Sequence, residues 1–185
     1  MSRAHVAVRV VLLLALATIG CSSLYWLLYL ALPALAALLI SRDGAEAYLA
    51  KDAPRVVRVL RLAAAAYAYL WLLTDDVPSA DDASPVELTV DVGGSPSVSS
   101  AVRRLVTSLP ALLLLAALSM IAAVLWVIGA LAILATGRVP TAIAEFVAMK
   151  IGYQFRFVAY HLSLVDAYPS LADLRTGQLP RSDAF

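Results

Sequence analysis

The chain has 185 residues, of which 62% are hydrophobic and 15% charged, and its mean hydropathy is +0.86. Soluble domains average roughly 45–50% apolar and about 25% charged, so this composition predicts a membrane protein. A formal net charge of +1, without a basic tail or interleaved aromatic patch, argues against a nucleic-acid partner, and a single cysteine, Cys21, excludes an internal disulfide.

From Val10 to Ile40 the sequence runs 31 residues without a charge, well beyond the ~18 apolar residues that predict a spanning helix. Arg3 and Arg9 precede this run, which reaches TIGCSS around Cys21, so a lipoprotein signal with a lipidated Cys21 is one reading. Thr18, and the apolar stretch that resumes after Ser23, favour the other: Cys21 is a small apolar residue inside a longer membrane segment. SRDG at 41–44 is a stop and a turn. A shorter helix over about 55–74 follows, with Pro54 suited to its first turn. Lys51, Arg55, Arg58 and Arg61 share about 120° of one face, either as plain anchors or as contacts to lipid headgroups. TDDVP closes this first unit, residues 1–83, with Asp75 and Pro78.

Residues 84–104 form an acidic linker, and the alternation from Val86 to Val92 predicts a short strand there. The second unit, 105–172, repeats the first: a long uncharged helix over 105–135, the turn TGRVP, a shorter helix over about 141–165, and VDAYP with Asp166 and Pro169. A polar tail, 173–185, ends the chain. Asp75 and Asp166 stand 91 positions apart, as do Pro78 and Pro169. The predicted fold is therefore an all-α integral membrane protein with four transmembrane helices in two tandem helical hairpins. If the shorter helices cross, both copies face the same way; if they lie in the interface, the copies are inverted. Tyr67, Tyr69 and Trp71, and Tyr160 and Tyr168, sit near the far ends as interfacial anchors would, which favours crossing. Eight basic residues fall on the hairpin-tip side and six on the other, which leans toward cytoplasmic tips.

TGRVP (136–140), FRFVAY (155–160), VDAYP (165–169) and SPVELTVDV before them resemble an uncharacterised family of bacterial membrane proteins defined as a domain of unknown function. The second unit matches its pattern better; the first keeps AY and TDDVP but has SRDG at the turn, and Ala65 where the second has Arg156. The resemblance implies a membrane architecture, with a bacterial cytoplasmic-membrane location, and carries no catalytic residues.

An aspartate at a helix carboxyl end opposes the backbone dipole and needs compensation. The expected partners are Arg9 for Asp75, and Arg103 or Arg104 for Asp166. Lys150, Gln154 and His161 fall within about 40° of arc, with Arg156 on another face; Gln154, Arg156, Tyr160 and His161 form the candidate polar relay. His161 is more readily a packing residue than a ligand, and no metal-binding, nucleophile-elbow or phosphate-loop motif is present. No cofactor is implied and no enzymatic function is expected. The expected role is an accessory or scaffold subunit that binds another membrane protein within the lipid bilayer. The alternative is a small transporter or channel acting as a homo-oligomer.

Overall fold

The computed structural model describes residues 3–18, 21–76, 92 and 96–169; side chains are described for 5–12 and, from 29 on, throughout these spans. Every element is helical: α1 (Arg3–Thr18), α2 (Cys21–Asp43), the short α3 (Ala45–Ala47), a π-helical turn (Tyr48–Asp52) leading into α4 (Ala53–Leu70), then α5 (Val98–Thr107), α6 (Leu109–Thr136) and α7 (Thr141–His161). Local chemistry sets several of these ends. Ser97 and Ser100 form a capping box at the start of α5, with the Ser100 amide donating to Ser97 Oγ at 3.1 Å and the Ser97 amide to Ser100 Oγ at 3.0 Å. Gly137, at φ 77°, closes α6 in the left-handed conformation that glycine adopts without steric cost.

Helix α7 is the centre of the molecule, and no residue from Phe146 to Val165 is exposed. Ile143, Val147, Ile151, Phe155 and Ala159 pack with Val57, Leu60 and Ala64 of α4 and with Ala36 and Ile40 of α2. Tyr153 and Phe157 pack with Ala111, Leu112, Leu115 and Leu118 of α6 and with Tyr29 of α2. Burying each of the larger apolar side chains stabilises the unit by about 1.5–3 kcal/mol relative to leaving it exposed. Val6 of α1 joins Leu72, Ala130 and Ile133 in a third cluster.

Four transmembrane helices in two hairpins are not what this chain forms. Among the described residues, only α6 is long and apolar enough to cross a membrane. The uncharged run 10–40 is shared between α1 and α2, and Pro33 lies within α2. The shorter helices fail on charge: α4 carries Arg55, Arg58 and Arg61, and α7 carries Glu145, Lys150 and Arg156. Both stop four residues before their predicted ends, at Leu70 and His161. The second long run is also divided, because Leu105–Thr107 belong to α5 and α6 starts at Leu109. The strand expected at Val86–Val92 and the tail 173–185 lie outside the described residues except for Val92, as does the side chain of Cys21; among the described residues there is no strand.

Candidate functional site: two arginine-clamped helix exits

Helices α4 and α7 leave their last turns in the same way. The Leu72 amide donates to Tyr69 O at 3.3 Å and the Leu73 amide to Ala68 O at 2.9 Å, with Leu72 at φ 66°. At α7 the Ser163 amide donates to Tyr160 O at 3.0 Å and the Leu164 amide to Ala159 O at 3.0 Å, with Ser163 at φ 57°. This is the Schellman pattern, in which one left-handed residue lets two amides turn back onto orphan carbonyls. Here leucine and serine hold a position that glycine usually takes.

Ser163 is fully buried and its hydroxyl has no hydrogen-bond partner among the described residues. Ser163→Gly will therefore raise the midpoint of thermal unfolding, by about 1 kcal/mol of stability, because it removes the left-handed cost and an orphan hydroxyl at once. Leu72→Gly will lower it, since the leucine side chain is 2% exposed and fills the third cluster.

An arginine from the helix that begins each half of the chain closes each exit. Arg104 Nη1 donates to Tyr160 O and Val165 O, both at 2.6 Å, and its Nη2 to Asp166 Oδ1 at 2.6 Å. Its guanidinium carbon lies 4.5 Å from the centre of the Tyr160 ring. Arg9 Nη2 donates to Thr74 O and, at 3.1 Å, to Asp75 Oδ1, with the guanidinium carbon 4.3 Å from the centre of the Tyr69 ring. Arg9 is 0% exposed and Arg104 5%, so each cation is taken from water and held by carbonyls, a carboxylate and an aromatic face. It also sits where a helix dipole favours positive charge. Arg103 is exposed on α5 and takes no part in the clamp. At the first exit His5 adds a further group, its Nδ1 lying 3.9 Å from Asp75 Oδ1.

The two exits lie at opposite ends of α6. The α7 exit meets Arg104 and Thr107, just before α6 begins. The α4 exit meets the other end, where Trp126 Nε1 donates to Leu70 O at 2.8 Å and a Cβ on Gly129 would stand 3.4 Å from Leu72 Cδ1. From Ser108 to Trp126 the helix rises ~27 Å at about 1.5 Å per residue.

The relay candidates do not form a chain among their described contacts. Gln154 Oε1 accepts from Lys150 Nζ at 2.6 Å, and that ammonium lies 4.6 Å from the Trp71 ring and 5.5 Å from the Tyr67 ring. Tyr160 shares a 3.1 Å hydroxyl contact with Thr107. Arg156 is half-buried on α7. His161 stacks on Phe157 at 4.9 Å and lies 4.7 Å from Tyr29, with Nε2 3.2 Å from Tyr29 O. Burial pushes the His161 imidazole down to about 4. The folded pKa is then below the ordinary 6.5, the unfolded chain binds more protons between the two, and this contribution to stability falls as pH drops from about 6.5 toward 4. Denaturant unfolding at stepped pH will show that slope, and His161→Phe will remove it.

No local pattern in the sequence marks the tyrosines and the tryptophan that cap backbone carbonyls. Tyr48, fully buried, donates its hydroxyl to Leu162 O, and Tyr29 donates to Leu105 O and touches Ser108 Oγ at 3.0 Å. A lone Trp126 in an uncharged run was the only visible cue to its cap on α4. Lys51, in the π-helical turn, and Arg55, Arg58 and Arg61 of α4 are all exposed, with Arg55 Nη1 3.7 Å from Asp52 Oδ1.

No curated protein and no solved structure matches the chain. Residues 99–172, from α5 through the clamped exit of α7, match the family model described as Domain of unknown function (DUF4389).

Proposed function

We propose that this chain is a non-enzymatic membrane component, an accessory or scaffold unit that lies in the bilayer surface on its α6 side. The outward face of α6 carries the reading. Leu113, Met120, Val124, Val127 and Leu131 are all more than half exposed along one helix, with Met120 at 74%. A water-solvated monomer rarely shows a continuous apolar face of that length. Helices α1 and α5, which pack on α6, extend it with exposed Val8, Val11, Val98, Val102 and Val106.

Two observations favour α6 lying along the membrane over crossing it. The exits sit at opposite ends of α6, so if α6 crossed the membrane the acidic sequence between Asp76 and Ser97, with Asp81, Asp82, Glu87 and Asp91, would have to connect opposite sides of it; hydrocarbon does not accept such a segment. Exposed Arg55, Arg58 and Arg61 also run beside the same unit, which suits an interface better than mid-membrane depth.

We read the two clamped exits as copies of one module, the first extending the pattern beyond 99–172. The tyrosine, the left-handed residue and the aspartate recur at an offset of 91 positions, and the arginines at 95. The copies are inverted relative to α6. The resemblance of TGRVP and VDAYP to bacterial membrane sequences makes the bacterial cytoplasmic membrane the expected location.

Single cysteines at positions 113, 124 and 134, in a Cys21→Ser background and carrying a fluorophore, test the reading in lipid nanodiscs. Quenchers fixed at known depths should return one shared shallow depth for all three. A graded shallow, deep, shallow profile would show that α6 crosses, and equal access to aqueous iodide at all three would remove the membrane reading. A mild-detergent pull-down that repeatedly returns no second membrane protein would remove the scaffold role.

A further inference from the structure

Helix α4 changes character along its outward face. The π-helical turn before it presents Lys51 to solvent and its first three turns present Arg55, Arg58 and Arg61, while its remaining turns from Leu62 to Leu70 carry no charge. Exposed Val59 and Leu62, at 65% and 45%, interleave with the arginines. The inward face, Val57, Leu60 and Ala64, is committed to the core against α7. Trp126 of α6 touches the carbonyl of Leu70, so the uncharged end of α4 lies beside the apolar helix. The basic end lies at the far end of α7, where Tyr48 caps Leu162 O.

We infer that Lys51, Arg55, Arg58 and Arg61 form a docking stripe for the phosphates of anionic phospholipids, with Val59 and Leu62 inserted between the headgroups. This rests on the membrane reading above and adds the lipid class. A nucleic-acid backbone would use the cations alone and leave the exposed valine and leucine without a partner. A lipid interface uses both, because it offers phosphate and acyl chain within one helix radius. Asp52, 3.7 Å from Arg55 and mostly buried, offsets part of that one charge.

The test uses the full chain, purified in mild detergent and transferred into nanodiscs of phosphatidylcholine with or without phosphatidylglycerol. Native mass spectrometry of the protein released from them reads the co-retained lipid. Phosphatidylglycerol should be enriched over its bulk fraction. Each basic residue near an anionic surface is worth about fivefold in affinity, so Arg55→Gln, Arg58→Gln and Arg61→Gln together should reduce the preference on the order of a hundredfold. Raising the salt should weaken it. Circular dichroism and gel filtration confirm the folding of that variant, and Val59→Ser, which keeps every charge, should lower retention of both lipids.

Absence of enrichment while the α6 depth profile stays shallow would overturn the stripe and leave the membrane reading standing. If inorganic phosphate at equal concentration displaces the lipid, the site is a general oxyanion site and the lipid assignment fails. An acidic protein that copurifies and is lost with the arginines, with lipid retention unchanged, would equally overturn it.

Discussion

Arg104→Met will lower stability by about 2–4 kcal/mol, the cost of losing charge-assisted hydrogen bonds and leaving a carbonyl without its donor. Three charge-assisted bonds at 2.6 Å disappear together, two of them to the carbonyls of Tyr160 and Val165. Asp166 is half exposed and rehydrates, so its share of the loss is modest. The Val165 carbonyl is left without the bond that Arg104 supplies, while Tyr160 O keeps the Ser163 amide. Arg9→Met will cost less, because Arg9 donates to one carbonyl and one carboxylate, and the bond to Asp75 is 3.1 Å long. Thermal unfolding of purified protein in detergent measures both.

The charge-reversal pair separates the causes. Arg104→Asp with Asp166→Arg restores the opposite charges but points a carboxylate at two carbonyls, so it will recover only part of what either single reversal loses. Complete recovery would mean that Coulomb attraction alone holds the exit, and the capping role assigned to Arg104 would be wrong.

The sequence carried the pairing of charges more clearly than the architecture around them. Asp75 and Asp166 stand after helices whose last turns carry tyrosine, and helix-end electrostatics point to Arg9 for the first and to Arg103 or Arg104 for the second, between which only burial decides. Local rules do not fix how many helices cross a membrane. Thirty-one uncharged residues read the same whether they form one rod or are divided between α1 and α2, and hydropathy counts cannot see that Ser108 separates α5 from α6. Nor does composition reveal that α7, with Lys150, Gln154 and His161 on one arc, is the most enclosed helix among the described side chains. Burial there comes from partners on α2, α4 and α6 that lie far away in sequence. The carbonyl caps from Tyr29, Tyr48 and Trp126 were hidden for the same reason: each donor is more than 50 positions from its acceptor.

Lys150→Met will stabilise the protein at neutral pH. The lysine is 3% exposed, and burial pulls its ammonium from 10.5 down to about 8. At about 1.4 kcal/mol per unit, holding it charged in the folded state costs about 3–4 kcal/mol at pH 7, a net cost that remains after the bond to Gln154 and the Trp71 and Tyr67 faces have offset some of the burial. The direction with pH follows from the lowered folded pKa. Between about 8 and 10.5 the unfolded chain binds the proton more tightly than the folded one, so the natural protein gains stability as pH rises through that window. Methionine has no proton to bind, fills a similar volume, and keeps a favourable sulfur contact with the same rings. The advantage of the variant should therefore be largest at pH 7 and shrink steadily toward pH 10.5, in melts recorded at stepped pH in one detergent. If Lys150→Met melts lower at every pH, the aromatic cage outweighs burial, and Lys150 is a cation that α4 and α7 need in order to pack.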